Sequence, residues 1–148
     1  MNIAIIALTE QGSNTAQRIG SGFIPTPSLY VLNKIAQGTC FTESKKSAGI
    51  TLFSEPLQQL VHQIFKQYEG LVFVMAMGIA VRVIAPYIRD KYTDPAIVVV
   101  DDVGRFVISL LSGHEGGANL LSHKVAAILH TDAVITTGTD AQKDIIIG

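Results

Sequence analysis

The chain contains a single cysteine, Cys40. That excludes an intramolecular disulfide framework and a multi-cysteine zinc site, and it favours a reducing compartment, so a cytoplasmic setting is expected. An excess of either charge is also missing: eleven basic residues against twelve acidic give a formal net charge of -1. No global field recruits nucleic acid or an anionic membrane, and recognition falls to local sites. Long hydrophobic runs are absent too. The opening "NIAIIAL" lacks a basic leader and meets Thr9 and Glu10 at once, so it reads as neither a signal peptide nor a membrane span. His62, His123 and His130 fall within or at the end of helical patterns with no HExxH spacing, and no metal bound directly by the protein is expected. No internal repeat or low-complexity tract divides the 148 residues, a length suited to one compact domain spanning 1–148.

What is present is apolar material in short, uninterrupted pieces. Hydrophobic residues make up 48% of the chain and charged residues 16%. The charged share is low against an average of about 25%, which leaves room for a buried sheet or an interface, a homo-oligomer included. Ile3 to Leu8, Leu71 to Met77 and Ala96 to Val100 are continuous apolar runs, the pattern of central strands covered on both faces. Thr9 caps a helix after the first run. Ser54 and Pro56 open an amphipathic helix carrying Leu57, Leu60, Val61, Ile64 and Phe65 on one face. "IAVRVIAPYIRDK" reads as a helix that Pro86 kinks or ends. Asp101 to Gly104 joins two apolar runs as a hairpin, and Ala118, Leu121, Val125 and Leu129 mark a further helix before the strand "AVITT". "GFIPTPSLYVLNK" reads as a loop and "GTCFTES" as a short edge strand. The alternation predicts a three-layer α/β/α sandwich with a mostly parallel sheet and one β-hairpin. The ending "DIIIG", where an apolar run has just begun, looks like a cut before further structure.

Five polar or glycine-rich segments follow apolar strands: "TEQGS", "GIAVR", "DDVGR", "SGHEGGAN" and "TTGTD". Open parallel sheets collect ligands beyond the carboxyl ends of their strands, although turns favour Gly, Asp, Ser and Thr for their own reasons. "SGHEGGAN" lacks both GxGxxG spacing and the lysine and hydroxyl of a P-loop. Its glycines permit positive φ at Gly113 and close ligand approach at Gly116 and Gly117, with the amides of the next helix facing an anion; a cramped strand-to-helix turn accounts for them equally. His114 can move a proton, donate to a carboxylate or ligate a metal, and Glu115 is either a base or a solvated acid at a helix start. Arg82 is expected in the first turn of its helix, where a cation opposes the macrodipole and an anionic ligand would compensate. Asp101 and Asp102 end a strand in a turn, or one of them activates water.

The ordered motifs "GIAVR", "DPAIVVVD", "SLLSGHEGGAN" and "VITTGTD", between Gly78 and Asp140, resemble the cobalt-precorrin-5A hydrolase family, CbiG, of anaerobic cobalamin biosynthesis. The resemblance implies hydrolysis of the δ-lactone of a cobalt corrinoid with release of acetaldehyde. No cofactor is implied, because the substrate carries the cobalt. Members of the family usually carry a further C-terminal domain, so that domain and other enzymes of the pathway are the implied partners, with no nucleic acid and no membrane. On this reading His114, assisted by Glu115 or Asp101, activates water, and amides near Gly116 and Gly117 receive the oxyanion. Arg82 and Arg105 hold peripheral carboxylates, and Gly78, Ser112, Gly113, Asn119, Thr137 and Asp140 complete the substrate-binding set. Two other readings stand beside it. One is a noncatalytic corrinoid-binding module, since "HEGG" carries a partial His-x-x-Gly spacing with Ser112 where an aspartate would precede it; the other is an anion- or nucleotide-binding domain.

Overall fold

A computed structural model describes residues 1–34, 49–113 and 115–138. The edge strand expected around Cys40, and with it His114 and Asp140, lies outside the described residues. Strands β1 (Ile3–Ala7), β4 (Gly70–Val74) and β5 (Ala96–Val100) are buried at every position, so their lack of alternation follows from apolar cover on both faces. Between and beyond them lie α1 (Glu10–Gly20), β2 (Ser28–Leu32), β3 (Ile50–Phe53), α2 (Leu57–Ile64), α3 (Met77–Ile84), β6 (Val107–Leu111), α4 (Ala118–Leu129) and β7 (Ala133–Val134).

Local chemistry explains most boundaries. Thr9 caps α1, its hydroxyl oxygen accepting from the Gly12 amide at 2.9 Å. Pro86 stops α3, which tightens into a 3-10 turn over Ala85–Tyr87. Ala118, Leu121, Val125 and Leu129 all turn into the core along α4. Three local expectations change and one strand is added. Ser28–Leu32 is a strand rather than part of a loop: the two prolines precede it, and only Leu29 and Val31 are fully buried along it. Ile50–Phe53 is a strand whose one buried side chain, Phe53, leaves almost no pattern to read. Pro56, not Ser54, takes the cap position of α2, without a side-chain cap bond. The strand expected over Ala133 to Thr137 shortens to Ala133–Val134.

Among the described residues the sheet has seven strands in the order β3-β2-β1-β4-β5-β6-β7, and every pair is parallel except β5 with β6. Helices α1 and α4 pack on one face, over Ile3, Ile5, Val72, Val98 and Val107. On the other face α2 and α3 cover Ile6, Leu71, Phe73, Ile97 and Val99. The architecture is the expected α/β/α sandwich. Because β6 and β7 run opposite to the other strands, their carboxyl ends lie at the end of the sheet where β1, β4 and β5 begin.

The reversal is held by two backbone bonds, Asp101 N to Phe106 O at 3.3 Å and Gly104 N to Asp101 O at 2.9 Å, and by one side chain. Asp101 Oδ1 accepts from the amides of Arg105 and Phe106, both at 2.7 Å, and Oδ2 accepts from the Val103 amide at 3.3 Å. Gly104 adopts φ +80° inside the turn, a conformation that favours glycine. Asp101→Ala should therefore destabilise the domain by about 1 to 3 kcal/mol, since three amides lose a charged acceptor. Urea unfolding checks this; an unchanged midpoint would show that the turn holds without the carboxylate.

Candidate functional site

The reversed strand pair divides the candidate residues between two ends of the sheet. Gly78, Arg82, Asp101 and Arg105 belong to the elements that follow or surround the carboxyl ends of β4 and β5. Ser112, Gly113, Glu115, Gly116, Gly117, Asn119 and Thr137 gather at the opposite end. A strand of five residues separates the two groups by about 15 Å, so the structure does not bring Asp101, Arg82 or Arg105 to the glycine-rich turn. Asp101 is the core of its own hairpin instead. Arg82 lies in the last turn of α3, not the first, where a cation suits the macrodipole and calls for no anion. Its guanidinium folds back along the helix, with Nη1 3.6 Å from the position a Cβ on Gly78 would take. Arg105 is exposed and reaches Asp101 with Nε to Oδ2 at 3.8 Å.

At the carboxyl end, the crevice between β1 and β4 is where strand order changes direction and where sheets of this type usually bind anions. Here an internal carboxylate occupies it. Asp102 Oδ2 accepts from the Thr9 hydroxyl at 3.0 Å, and the Asp102 carbonyl accepts from Thr15 Oγ1 at 2.6 Å. Asp102 Oδ1 is buried with no hydrogen-bond partner among the described residues, and a Cβ on Gly12 would come within 2.9 Å of it. A phosphate at the start of α1 would meet this negative charge at contact distance. The arrangement therefore disfavours the anion- or nucleotide-binding reading.

The turn at the other end is built by close backbone approach. Ser112 sits at φ +60° and Gly117 at φ +87°, and the carbonyls of Ser112 and Gly113 lie over the start of α4. The first two amides of that helix are spent inside the turn: Ala118 N donates to Ser112 O at 3.1 Å and Asn119 N to Gly113 O at 3.0 Å. They do not face a ligand, contrary to the simple expectation for a helix start. The amides of Gly116 and Gly117, by contrast, have no acceptor among the described residues. A Cβ on Gly116 would stand 2.5 Å from Ser112 Cβ, and one on Gly113 would stand 2.8 Å from Asn119 Oδ1. Ser112 itself is buried and donates to the carbonyl of Asp94 at 3.3 Å. Asn119, also buried, accepts from Ser109 Oγ at 2.7 Å and donates to Thr137 Oγ1 at 3.0 Å. Ser112 thus ties the turn to the segment before β5, and Asn119 ties the start of α4 to β6 and to the residues after β7. Glu115 is exposed.

Beside the turn opens a cavity of about 590 Å³, bounded by Met1 to Ile3, Phe23 to Ser28, Gly117, Leu120, Leu121 and Lys124, a size typical of small-molecule sites. Ile24 is 98% exposed and Leu120 78% exposed at its rim, an apolar display with no role in the core. Lys124 lies over the Phe23 ring, with Nζ 4.3 Å from the centroid, leaving a cation at the mouth. Phe23, Ile24, Leu120 and Lys124 were not among the residues singled out from the sequence. Leu120 carried the one available signal, an apolar residue off the buried face of α4. Among the described residues no group of three His, Cys, Asp or Glu is placed to hold a metal.

The family described as "Cobalamin synthesis G N-terminal" matches residues 59–140, a span that includes the turn and α4. The chain is 42% identical over 142 residues to the cobalt-precorrin-5A hydrolase of Priestia megaterium, covering 96% of this chain and 36% of that protein. It is 42% identical over 143 residues to the enzyme of the same name from Salmonella typhimurium, covering 96% of this chain and 37% of that protein. The crystal structure of a cobalamin biosynthesis protein G homologue from Sulfolobus solfataricus superposes with a TM-score of 0.66 at 28% identity, over 99% of this chain and 40% of that one. The chain thus spans about a third of the length of the curated relatives it matches.

Asn119→Leu should cost about 1 to 3 kcal/mol, because Ser109 and Thr137 lose a partner in a buried place. Thermal unfolding of the variant measures it, and a melting temperature equal to that of the unmodified chain would mean that the network does not hold the turn.

Proposed function

The chain belongs to the cobalamin synthesis G N-terminal family, and from that membership we propose that it forms part of the site at which the δ-lactone of cobalt-precorrin-5A is hydrolysed with release of acetaldehyde. The observation that carries the reading is the 42% identity, over 96% of the chain, to relatives named for that hydrolysis. The cavity beside Gly117 supports it: an apolar wall suits the face of a tetrapyrrole, and Lys124 at the mouth suits one of its carboxylates. This lysine takes the part that Arg82 and Arg105, at the far end of the sheet, are not placed to take.

In the proposed reaction a water oxygen attacks the lactone carbonyl carbon while His114, which lies outside the described residues, accepts the proton. The carbonyl π electrons move to oxygen, and the amides of Gly116 and Gly117 donate to the resulting oxyanion. Collapse of that intermediate breaks the ring C–O bond and frees an alkoxide on the two-carbon unit; its oxygen forms C=O as the C–C bond to the macrocycle breaks, acetaldehyde leaves, and the macrocycle carbon keeps the electron pair and takes the proton that the imidazolium returns. Glu115, next in sequence, is the acid available to orient the histidine; Asp101 is not, because its carboxylate holds the hairpin. Cobalt enters and leaves with the substrate. Corrinoid binding without turnover is the second reading, favoured by the apolar cavity with Lys124 at its mouth, which can hold a corrinoid without a catalytic group.

Anaerobic incubation with cobalt-precorrin-5A, followed by an acetaldehyde assay, separates the two readings. Hydrolysis predicts acetaldehyde. A corrinoid spectral shift without acetaldehyde, with or without the rest of a relative's polypeptide, supports binding alone. His114→Ala should lower turnover about 10²- to 10⁴-fold with the fold retained, and undiminished lactone opening by that variant removes the histidine from the mechanism. Lys124→Glu should weaken corrinoid binding about fivefold or more, an effect that shrinks as salt rises; titration by absorbance at two salt concentrations checks it.

A further inference from the structure

The second face of the sheet is only half covered. Helices α2 and α3 lie over β1, β4 and β5, and among the described residues no helix lies over β6 and β7 on that side. Ile108 of β6 and Val134 of β7 are register partners pointing to this face, opposite to Val107 and Ser109, which point toward α4. Ile108 is half-buried, belongs to neither core, and Val134 is 42% exposed. The orientation of α3 extends the patch. Its Val83 carbonyl accepts from Gln58 of α2, and Tyr87 packs against His62 and Phe65, so α2 sits on that flank. Val81, about 160° round the helix from Val83, therefore faces toward β6, and it is 42% exposed. Val81, Ile108 and Val134, with Leu111 half-buried where it packs against the core under α2 and α3, border an apolar trough.

We propose that this trough is the docking surface for the polypeptide that follows the matched region in full-length relatives. The family match is by its own description N-terminal. In the Priestia megaterium relative the matched part is 36% of the protein, and in the Sulfolobus solfataricus homologue it is 40%, so most of each relative lies outside the part that superposes here. β7, the strand that edges the trough, is the last strand of the described residues. A doubly wound sheet with one uncovered quarter exposes apolar surface to water, at a free-energy cost that cover by such a segment removes. The occupant is apolar where it meets these four residues, since none of them is charged.

The test pairs this chain with the separately produced remainder of the Priestia megaterium relative. Calorimetry should detect a complex, and the Val81→Lys, Val134→Lys double variant, changed only at part-exposed positions, should bind at least about tenfold more weakly with an unaltered melting curve. In a Cys40→Ser background, Val134→Cys should be alkylated at least about tenfold more slowly in the complex than in the chain alone. Equal binding by the double variant overturns the proposal, as does the absence of any complex. Self-association of the unmodified chain that the same lysines abolish would assign the trough to a second copy and overturn it as well.

Discussion

Everything distinctive about this domain depends on the turn that reverses the sheet between β5 and β6. Three backbone amides converge on the carboxylate of Asp101, and the chain re-enters the sheet antiparallel. A further parallel crossover at that point would have placed the glycine-rich turn after β6 at the same end as the loops following β1 and β4. The hairpin sends it to the other end, about a strand length away. One acidic side chain in a six-residue connection, Asp101 to Phe106, thereby bears on which loops share a site.

The two ends then acquire opposite chemistry. The crevice where strand order reverses is filled from within by Asp102, hydrogen-bonded to Thr9 and pressed against Gly12, so the usual anion position of such sheets is occupied by the protein's own carboxylate. At the other end the turn uses up the first two amides of α4 on its own carbonyls, while those of Gly116 and Gly117 have no acceptor among the described residues. Buried Ser109 and Asn119, with part-buried Thr137, fix that geometry. A buried polar network of this kind tolerates no partial loss. The apolar cavity beside it and the apolar trough across the sheet are both proposed to be covered, the first by a ligand and the second by further polypeptide.

The core of the fold was legible because burial on both faces erases alternation in β1, β4 and β5, while α2 and α4 keep clear apolar stripes. The edges were not legible. Ile50–Phe53 buries one side chain, and Ser28–Leu32 hides behind two prolines, so neither imposes a pattern that local reading can find. At the site, the glycines and the histidine motif stood out, but the grouping of Arg82, Asp101 and Arg105 with them rested on each segment following a strand. That rule is local, whereas strand direction is global. The cavity residues Phe23, Ile24 and Lys124 come from elements distant in sequence, and only the three-dimensional arrangement brings them to Gly117.

On the proposed reading, ligand binds at the end of the sheet marked by Gly117 and Lys124. The most direct test is anomalous scattering at the cobalt edge from crystals of the chain grown anaerobically with a cobalt corrinoid carrying free carboxylate arms. The account predicts the cobalt peak over the cavity beside Gly117, within reach of Phe23 and Leu120. A peak above Thr9 and Gly78, in the crevice that Asp102 fills, would contradict it.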